Sequence, residues 1–188
     1  MSIPMRIPEG KIILTYEDYA ALPNDGKRYE ILEGELSTTL VPSTRHQMVS
    51  GNLLVCLTEH IQEHDLGRIF IAPLAVILES TSVVEPDLLF VSKARQKIMT
   101  DRAVEGSPDL IIEIVSPATA RNDRVTKAQI YARHKVPAYW IVDPEQGAVE
   151  VYLLNVDSYR LAVTLQGETP LPVPPFADLE FAAKDLFI

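Results

Sequence analysis

The sequence predicts an α/β fold with a mixed sheet, and three observations lead there. The run Leu110-Ile111-Ile112-Glu113-Ile114-Val115 is apolar on both faces apart from one acid, as a central strand covered on two sides must be. A stretch of helical spacing separates it from a second apolar run, Ala138–Val142, and the order strand, helix, strand implies a parallel pair joined by a right-handed crossover. A long amphipathic segment after Pro42 stands between strand-like stretches, so helices and strands alternate along the chain.

Taken in order, Thr15-Tyr16-Glu17-Asp18 reads as a helix start with an acidic first turn, stopped before the turn cluster Pro23-Asn24-Asp25-Gly26. Arg28–Leu36 alternates apolar and polar residues around Glu33-Gly34, which predicts a hairpin whose far arm reaches about Leu40. The longest helix runs from Ser43 or Thr44 to about His64, with Met48, Leu54, Val55, Leu57 and Ile61 as its apolar face. Strands follow at about Arg68–Leu78 and Val83–Val91, then a charged loop with Lys93, Arg95 and Lys97. After the central strand, Asn122 or Asp123 caps a helix reaching about Lys135, and the next strand closes at Asp143-Pro144. Val149–Leu154 and Tyr159–Leu165 form a last hairpin, and the prolines 170, 172, 174 and 175 mark a non-helical surface segment.

The 188 residues show no repeat and no low-complexity linker, so one domain over 1–188 is expected. A hydrophobic share of 47% against 23% charged residues suits a chain that buries a core and excludes a disordered one. No run reaches the ~18 apolar residues of a membrane span, and the N-terminus lacks the apolar core of a signal peptide, so a cytoplasmic location is expected. Cys56 is alone, which excludes an intrachain disulfide and a zinc ribbon. A net charge of −9 argues against coating nucleic acid through bulk electrostatics, though not against an enzyme that acts on it.

Two acids lie in apolar surroundings: Asp87 in Val84-Glu85-Pro86-Asp87-Leu88-Leu89, and Glu113. A buried carboxylate costs several kcal/mol unless a metal or a cation pairs with it. Two carboxylates from neighbouring strands make the hard-oxygen environment that Mg²⁺ or Mn²⁺ prefers; the plainer alternative is a pair of strand-end acids bonded to backbone or arginine. Asp123, Lys127 and Tyr131 follow at intervals of four and share a helix face leaving the C-terminal end of the Glu113 strand. Lys127 either puts an ammonium beside the site or forms a solvated bridge with Asp123 worth about 0.3–0.5 kcal/mol.

Glu30, Pro86-Asp87, Glu113 with Ser116-Pro117-Ala118-Thr119, then Asp123, Lys127, Tyr131 and Val136-Pro137-Ala138-Tyr139-Trp140-Ile141-Val142-Asp143-Pro144 together resemble the Uma-type restriction endonuclease family, a branch of the PD-(D/E)XK nuclease superfamily. The resemblance implies the restriction-endonuclease-like fold, a central mixed sheet flanked by helices, and a Mg²⁺- or Mn²⁺-dependent DNA endonuclease. It implies Asp87 and Glu113 as metal ligands, with Glu30 as an additional acid. The superfamily's lysine two residues after the second acid is Val115 here, so the resemblance makes Lys127 the candidate cation. His46, at the start of the long helix, is an accessory candidate or a cap. Asp123 and Arg124 are further accessory candidates.

The basic residues Arg121, Arg124, Lys127, Arg133 and Lys135, joined by Lys93, Arg95 and Lys97, form a candidate phosphate-contacting strip or a solvated face. Tyr139 and Trp140 read as core or interface. A homodimer is expected, because cutting both strands of a duplex takes two sites. The competing reading is an accessory nucleic-acid-binding protein on the same fold with weak or no catalysis.

Overall fold

The computed structural model describes residues 12–39, 41–168, 170–176 and 178–188. The expected hairpin end at Leu40 and the N-terminal segment read for a signal sequence lie outside the described residues.

Helix α1 (Tyr16–Ala20) starts at Thr15, whose backbone N–H donates to the Asp18 carboxylate at 2.8 Å, half of a capping box. Strands β1 (Arg28–Leu32) and β2 (Glu35–Thr39) form the expected hairpin. Its turn residues Glu33 and Gly34 have φ of 53° and 84°, as a two-residue turn between twisted strands requires. A Cβ on Gly34 would meet the Ile13 side chain at 2.6 Å.

Helix α2 (Thr44–Glu63) is capped by Ser43, whose hydroxyl accepts from the His46 N–H at 3.2 Å. Its buried face is Val49, Ser50, Leu53, Leu57 and Ile61. Of the expected face, Leu57 and Ile61 are buried and Leu54 is partly buried against the core, while Met48 and Val55 are 52% and 59% exposed. Apolar residues occupy two adjacent rows of this helix, and contact with the sheet selects the row spaced by four.

The two long strands expected at Arg68–Leu78 and Val83–Val91 each divide. The first becomes β3 (Gly67–Ile71) and β4 (Val76–Glu79), parted around Pro73. The second becomes β5 (Ser82–Val84) and β6 (Leu88–Ser92), parted at Glu85-Pro86-Asp87. Proline has no N–H for a ladder, and at each break the chain passes between two sheets. Asp87 therefore stands at a crossover, not inside a strand.

A 3-10 turn (Lys93–Ile98), β7 (Val104–Glu105) and β8 (Leu110–Ile114) follow. Next comes a π-helical segment (Asn122–Lys127) continuing into α3 (Ala128–Arg133). Neither Asn122 nor Asp123 is its cap. Helical backbone is already present at Arg121, and the turn ahead is held by the Ser116 N–H donating to Thr119 Oγ1 at 3.1 Å. The chain ends with β9 (Ala138–Asp143), β10 (Ala148–Asn155), β11 (Ser158–Gln166), β12 (Leu171–Pro172), β13 (Glu180–Phe181) and a 3-10 turn (Ala183–Leu186).

Two mixed sheets result. The larger has the order β11-β10-β9-β8-β6-β3, with β8 parallel to β9 as the crossover rule requires. The smaller has the order β2-β1-β5-β4-β7, with only β4 and β7 parallel. Strand β8 is buried throughout and divides the core. Leu110, Ile112 and Ile114 belong with the α2 face and Trp140; Ile111 and Val115 belong with Ile130, Tyr131 and Tyr139 on the other side. The proline-rich segment is not a surface strap: Val173, Phe176, Leu179 and Phe181 are buried, and the Trp140 indole N–H donates to the Pro174 carbonyl at 2.7 Å.

Candidate active site

Alternation along β8 puts Glu113 on the side of Ile111 and Val115, facing α3. The antiparallel pairing of Leu88 with Ile112 carries Asp87 to the place beside Glu113. Strand β1 of the smaller sheet brings Glu30, whose Oε1 accepts the Glu85 N–H at 2.9 Å. The π-helical segment supplies Asp123 and Lys127, and the first turn of α2 supplies His46. All of them line one open cleft of about 560 Å³ where the two sheets meet.

Lys127 is the hub. Its ammonium lies 2.9 Å from Glu30 Oε1, 3.0 Å from Glu113 Oε1 and 3.6 Å from Asp123 Oδ1. None of these four residues is more than 5% exposed. The Tyr131 hydroxyl also donates to Glu113 Oε1, at 2.7 Å. Asp87 is held from three sides: Arg28 Nη1 donates to Oδ1 at 2.9 Å, while Oδ2 accepts the Ile114 N–H at 2.9 Å and faces His46 Nε2 at 3.1 Å. Ser50 on the next turn of α2 stands 3.4 Å from His46 Nδ1.

These surroundings drive the two central acids apart. Burial works against the Asp87 carboxylate, but the His46 hydrogen bond, Arg28 and the Ile114 N–H outweigh it and lower its pKa to about 2. Burial dominates at Glu113 and raises it to about 8, with Asp123, Asp87 and Glu30 adding to the rise and Lys127 opposing it. Burial also opposes the Lys127 ammonium, yet Glu113, Glu30 and Asp123 keep it charged well above the ordinary lysine range. Asp123 is raised by burial against the pull of Lys127.

The structure thus brings together Glu30, His46, Asp87, Glu113, Asp123 and Lys127. It places Arg124 elsewhere: its guanidinium pairs with Glu150 and lies 3.4 Å from Asp143, and it lines a separate groove with Tyr139, Tyr152 and Tyr159. Most of the expected basic strip is consumed the same way, Arg133 by Glu33, Lys135 by Asp157 and Lys93 by Asp65. Val115, in the place of the superfamily's usual lysine, is buried among apolar side chains. Sequence reasoning missed Arg28 and Glu85. Arg28 lies two positions before Glu30 and therefore on the same strand face, which was the available signal.

The donor set fits a divalent cation in kind. Five buried carboxylates, Glu30, Glu85, Asp87, Glu113 and Asp123, surround Lys127 and Arg28, so negative charge is in surplus. Glu30 Oε2 and Glu85 Oε2 are buried without a hydrogen-bond partner. The acids are arranged around the two internal cations, and among the described residues no group of three or more His, Cys, Asp or Glu forms a ready metal cage.

A family model described as "Putative restriction endonuclease", Uma2, matches residues 16–184. The chain belongs to this family. Membership supports a nuclease-like function. A curated relative, "Uncharacterized protein sll1609" of Synechocystis sp. (strain ATCC 27184 / PCC 6803 / Kazusa), is 25% identical over 173 residues, covering 90% of this chain and 93% of that protein. The fold is shared with a crystal structure described as a putative nuclease belonging to DUF820 from Anabaena variabilis ATCC 29413. That match has a TM-score of 0.76 at 21% identity and covers 93% of this chain and 97% of that one. The expected restriction-endonuclease-like α/β fold is therefore present. Among the described residues no helix is long and apolar enough to cross a membrane.

Proposed function

We propose that this Uma2-family protein is a single-domain, cytoplasmic, metal-dependent DNA endonuclease of the PD-(D/E)XK type. The observation that carries the reading is the convergence of Glu30, Asp87, Glu113 and Lys127, remote in sequence, on one cleft. Asp87 and Glu113 would hold Mg²⁺ or Mn²⁺, with Glu30 supporting the ion or the attacking water. When bound, the ion would supply a Lewis acid for a phosphodiester oxygen and lower the pKa of a water. The protein's own groups hold the frame. Ile114 N–H and His46 orient Asp87, Tyr131 orients Glu113, and Lys127 keeps a charged, desolvated ammonium where negative charge develops on the attacked phosphate.

Nicking of supercoiled plasmid with Mg²⁺ or Mn²⁺ tests this reading. Wild type should relax the plasmid and Asp87→Ala should not; equal nicking by both, or none by wild type, overturns it. Absence of nicking by wild type would favour the accessory reading with weak or no catalysis, supported by the engagement of Lys127 with three carboxylates.

For two-strand cleavage we infer a symmetric homodimer. The nine residues of β11 form an outer strand of the larger sheet, mostly exposed, with Leu161 at 47%. Light scattering should give twice 21.0 kDa, and a 21.0 kDa species at micromolar concentration would refute the dimer.

A further inference from the structure

We propose that Arg28 is a displaceable counter-ion of Asp87: it occupies the carboxylate oxygen that a divalent cation requires and, once released, binds the substrate phosphate. The proposal rests on the metal-dependent reading above.

The two oxygens of Asp87 are not equivalent. Oδ2 is fixed by a backbone donor, the Ile114 N–H, and by His46. Oδ1 is held by Arg28 Nη1 at 2.9 Å, a contact that side-chain rotation alone can undo. A divalent ion arriving at Asp87 and the guanidinium therefore compete for Oδ1, since two cations on one oxygen repel.

Arg28 has somewhere else to go. Its Nε is buried without a hydrogen-bond partner and lies 3.6 Å from Glu85 Oε2, itself a buried oxygen without a partner. The other oxygen of Glu85 is pinned by the Tyr19 hydroxyl at 2.5 Å, so the acceptor is already oriented. Nη2 donates to the Glu85 carbonyl. A small rotation converts the 3.6 Å approach into a full ion pair with Glu85 and turns Nη1 from Asp87 into the cleft.

The two cations of the site differ in freedom. The Lys127 side chain is 6% exposed and shared by three carboxylates, whereas that of Arg28 is 19% exposed and lines the cleft. A guanidinium presents a planar fork of donors that matches a phosphate in two-point fashion. Arg28 is then the group able to exchange an internal carboxylate for an external phosphate. Lys127 stays where it is.

The test uses the full chain as wild type, Arg28→Gln, Arg28→Met, Arg28→Lys and Asp87→Asn, with folding checked by circular dichroism. Mn²⁺ is titrated by calorimetry without DNA. Removing the competing cation should tighten Mn²⁺ binding on the order of tenfold in Arg28→Gln and Arg28→Met, by analogy with the proton affinity of a carboxylate beside a cation. Arg28→Lys should fall between them and wild type, and Asp87→Asn should lose binding. Binding of a short DNA duplex, followed by anisotropy with Ca²⁺, should weaken several-fold in Arg28→Gln with a salt slope lower by about one contact.

A purely structural Arg28 predicts the opposite sign for the metal, because a disordered Asp87 binds Mn²⁺ less well. Unchanged or weaker Mn²⁺ binding in both uncharged variants, with binding still lost in Asp87→Asn, overturns the Arg28 proposal and leaves the metal site standing. Absence of Mn²⁺ binding in wild type and in the uncharged variants overturns both.

Discussion

Strand β8 has two faces with opposite contents. Toward α2, Leu110, Ile112 and Ile114 meet Leu53, Leu57, Ile61 and Trp140 in a continuous apolar layer. Toward α3, the same strand places Glu113 among Ile111, Val115 and Tyr139, with Lys127 and Tyr131 reaching it from the helix. On the apolar face stability is spread over many weak contacts, so a truncation costs its own volume. On the charged face a few strong contacts depend on one another, and removing one partner leaves the rest uncompensated. A fold that needed only stability could carry an apolar residue at 113, which is why the charged layer is the proposed site.

The largest effect should come from breaking the charged hub. Lys127→Met strands Glu30, Glu113 and Asp123 around a missing cation, and denaturant unfolding without divalent ions should show a loss of about 3–5 kcal/mol, the cost of removing one partner of a buried ion pair. Under conditions where the variant stays folded, cleavage should fall by a factor on the order of 10²–10³ at saturating DNA. A stability loss under about 1 kcal/mol would mean that the hub is solvated, and the contrast between the faces would collapse.

The apolar face is probed by Leu57→Ala, fully buried in α2. Unfolding stability should drop by about 2–4 kcal/mol, within the range for a buried leucine truncation, while Mn²⁺ affinity and cleavage by the folded fraction stay at wild-type levels. Loss of metal binding would show that the faces are coupled.

Tyr131→Phe sharpens the comparison by deleting one hydroxyl from the charged face at constant shape. Above about pH 8, where Glu113 is ionised, the 2.7 Å bond should be worth about 1.5–3 kcal/mol in the unfolding free energy, as for hydrogen bonds to charged groups. A neutral result would place Glu113 in its protonated form, able to find another partner.

The smallest effect belongs outside both layers. Arg124→Met removes ion pairs to Glu150 and Asp143 from a guanidinium that is 29% exposed, so stability should change by no more than about 1 kcal/mol. Because Arg124 lines the groove away from the acids, duplex binding and its salt slope should match wild type. A clear drop in duplex binding would move the nucleic-acid surface to that side of α3.

Much of the site was legible because its members break local rules. Glu113 interrupts an apolar strand, and Asp123, Lys127 and Tyr131 recur at helical spacing, so their meeting with β8 follows from period and connectivity. His46 was ambiguous, since a histidine in a first turn has the same local appearance whether it faces solvent or, as here, a carboxylate 41 residues away. Arg28 was hard to see because a single arginine at a strand start violates no pattern, and only its place two residues before Glu30 puts it on the same strand face. The basic strip misled for the converse reason: the acid that neutralises Arg133 lies 100 positions upstream, beyond the reach of any charge count along the helix.

From the sequence alone came the elements whose causes are local, the Glu33-Gly34 hairpin, the start of α2 at Ser43 or Thr44 and the buried run of β8, with the parallel partner β9 following from the crossover rule. These depend on backbone sterics, on capping and on side-chain period, which act within a few residues. The tertiary structure alone decided which sheet each half of the Pro73 and Pro86 breaks would join, which row of α2 would be buried, that the proline-rich segment enters the core, and that Arg28 and Lys127 divide the acids between them. Each of those outcomes depends on the position of a partner distant in sequence, because burial and ion pairing are settled by which surfaces meet.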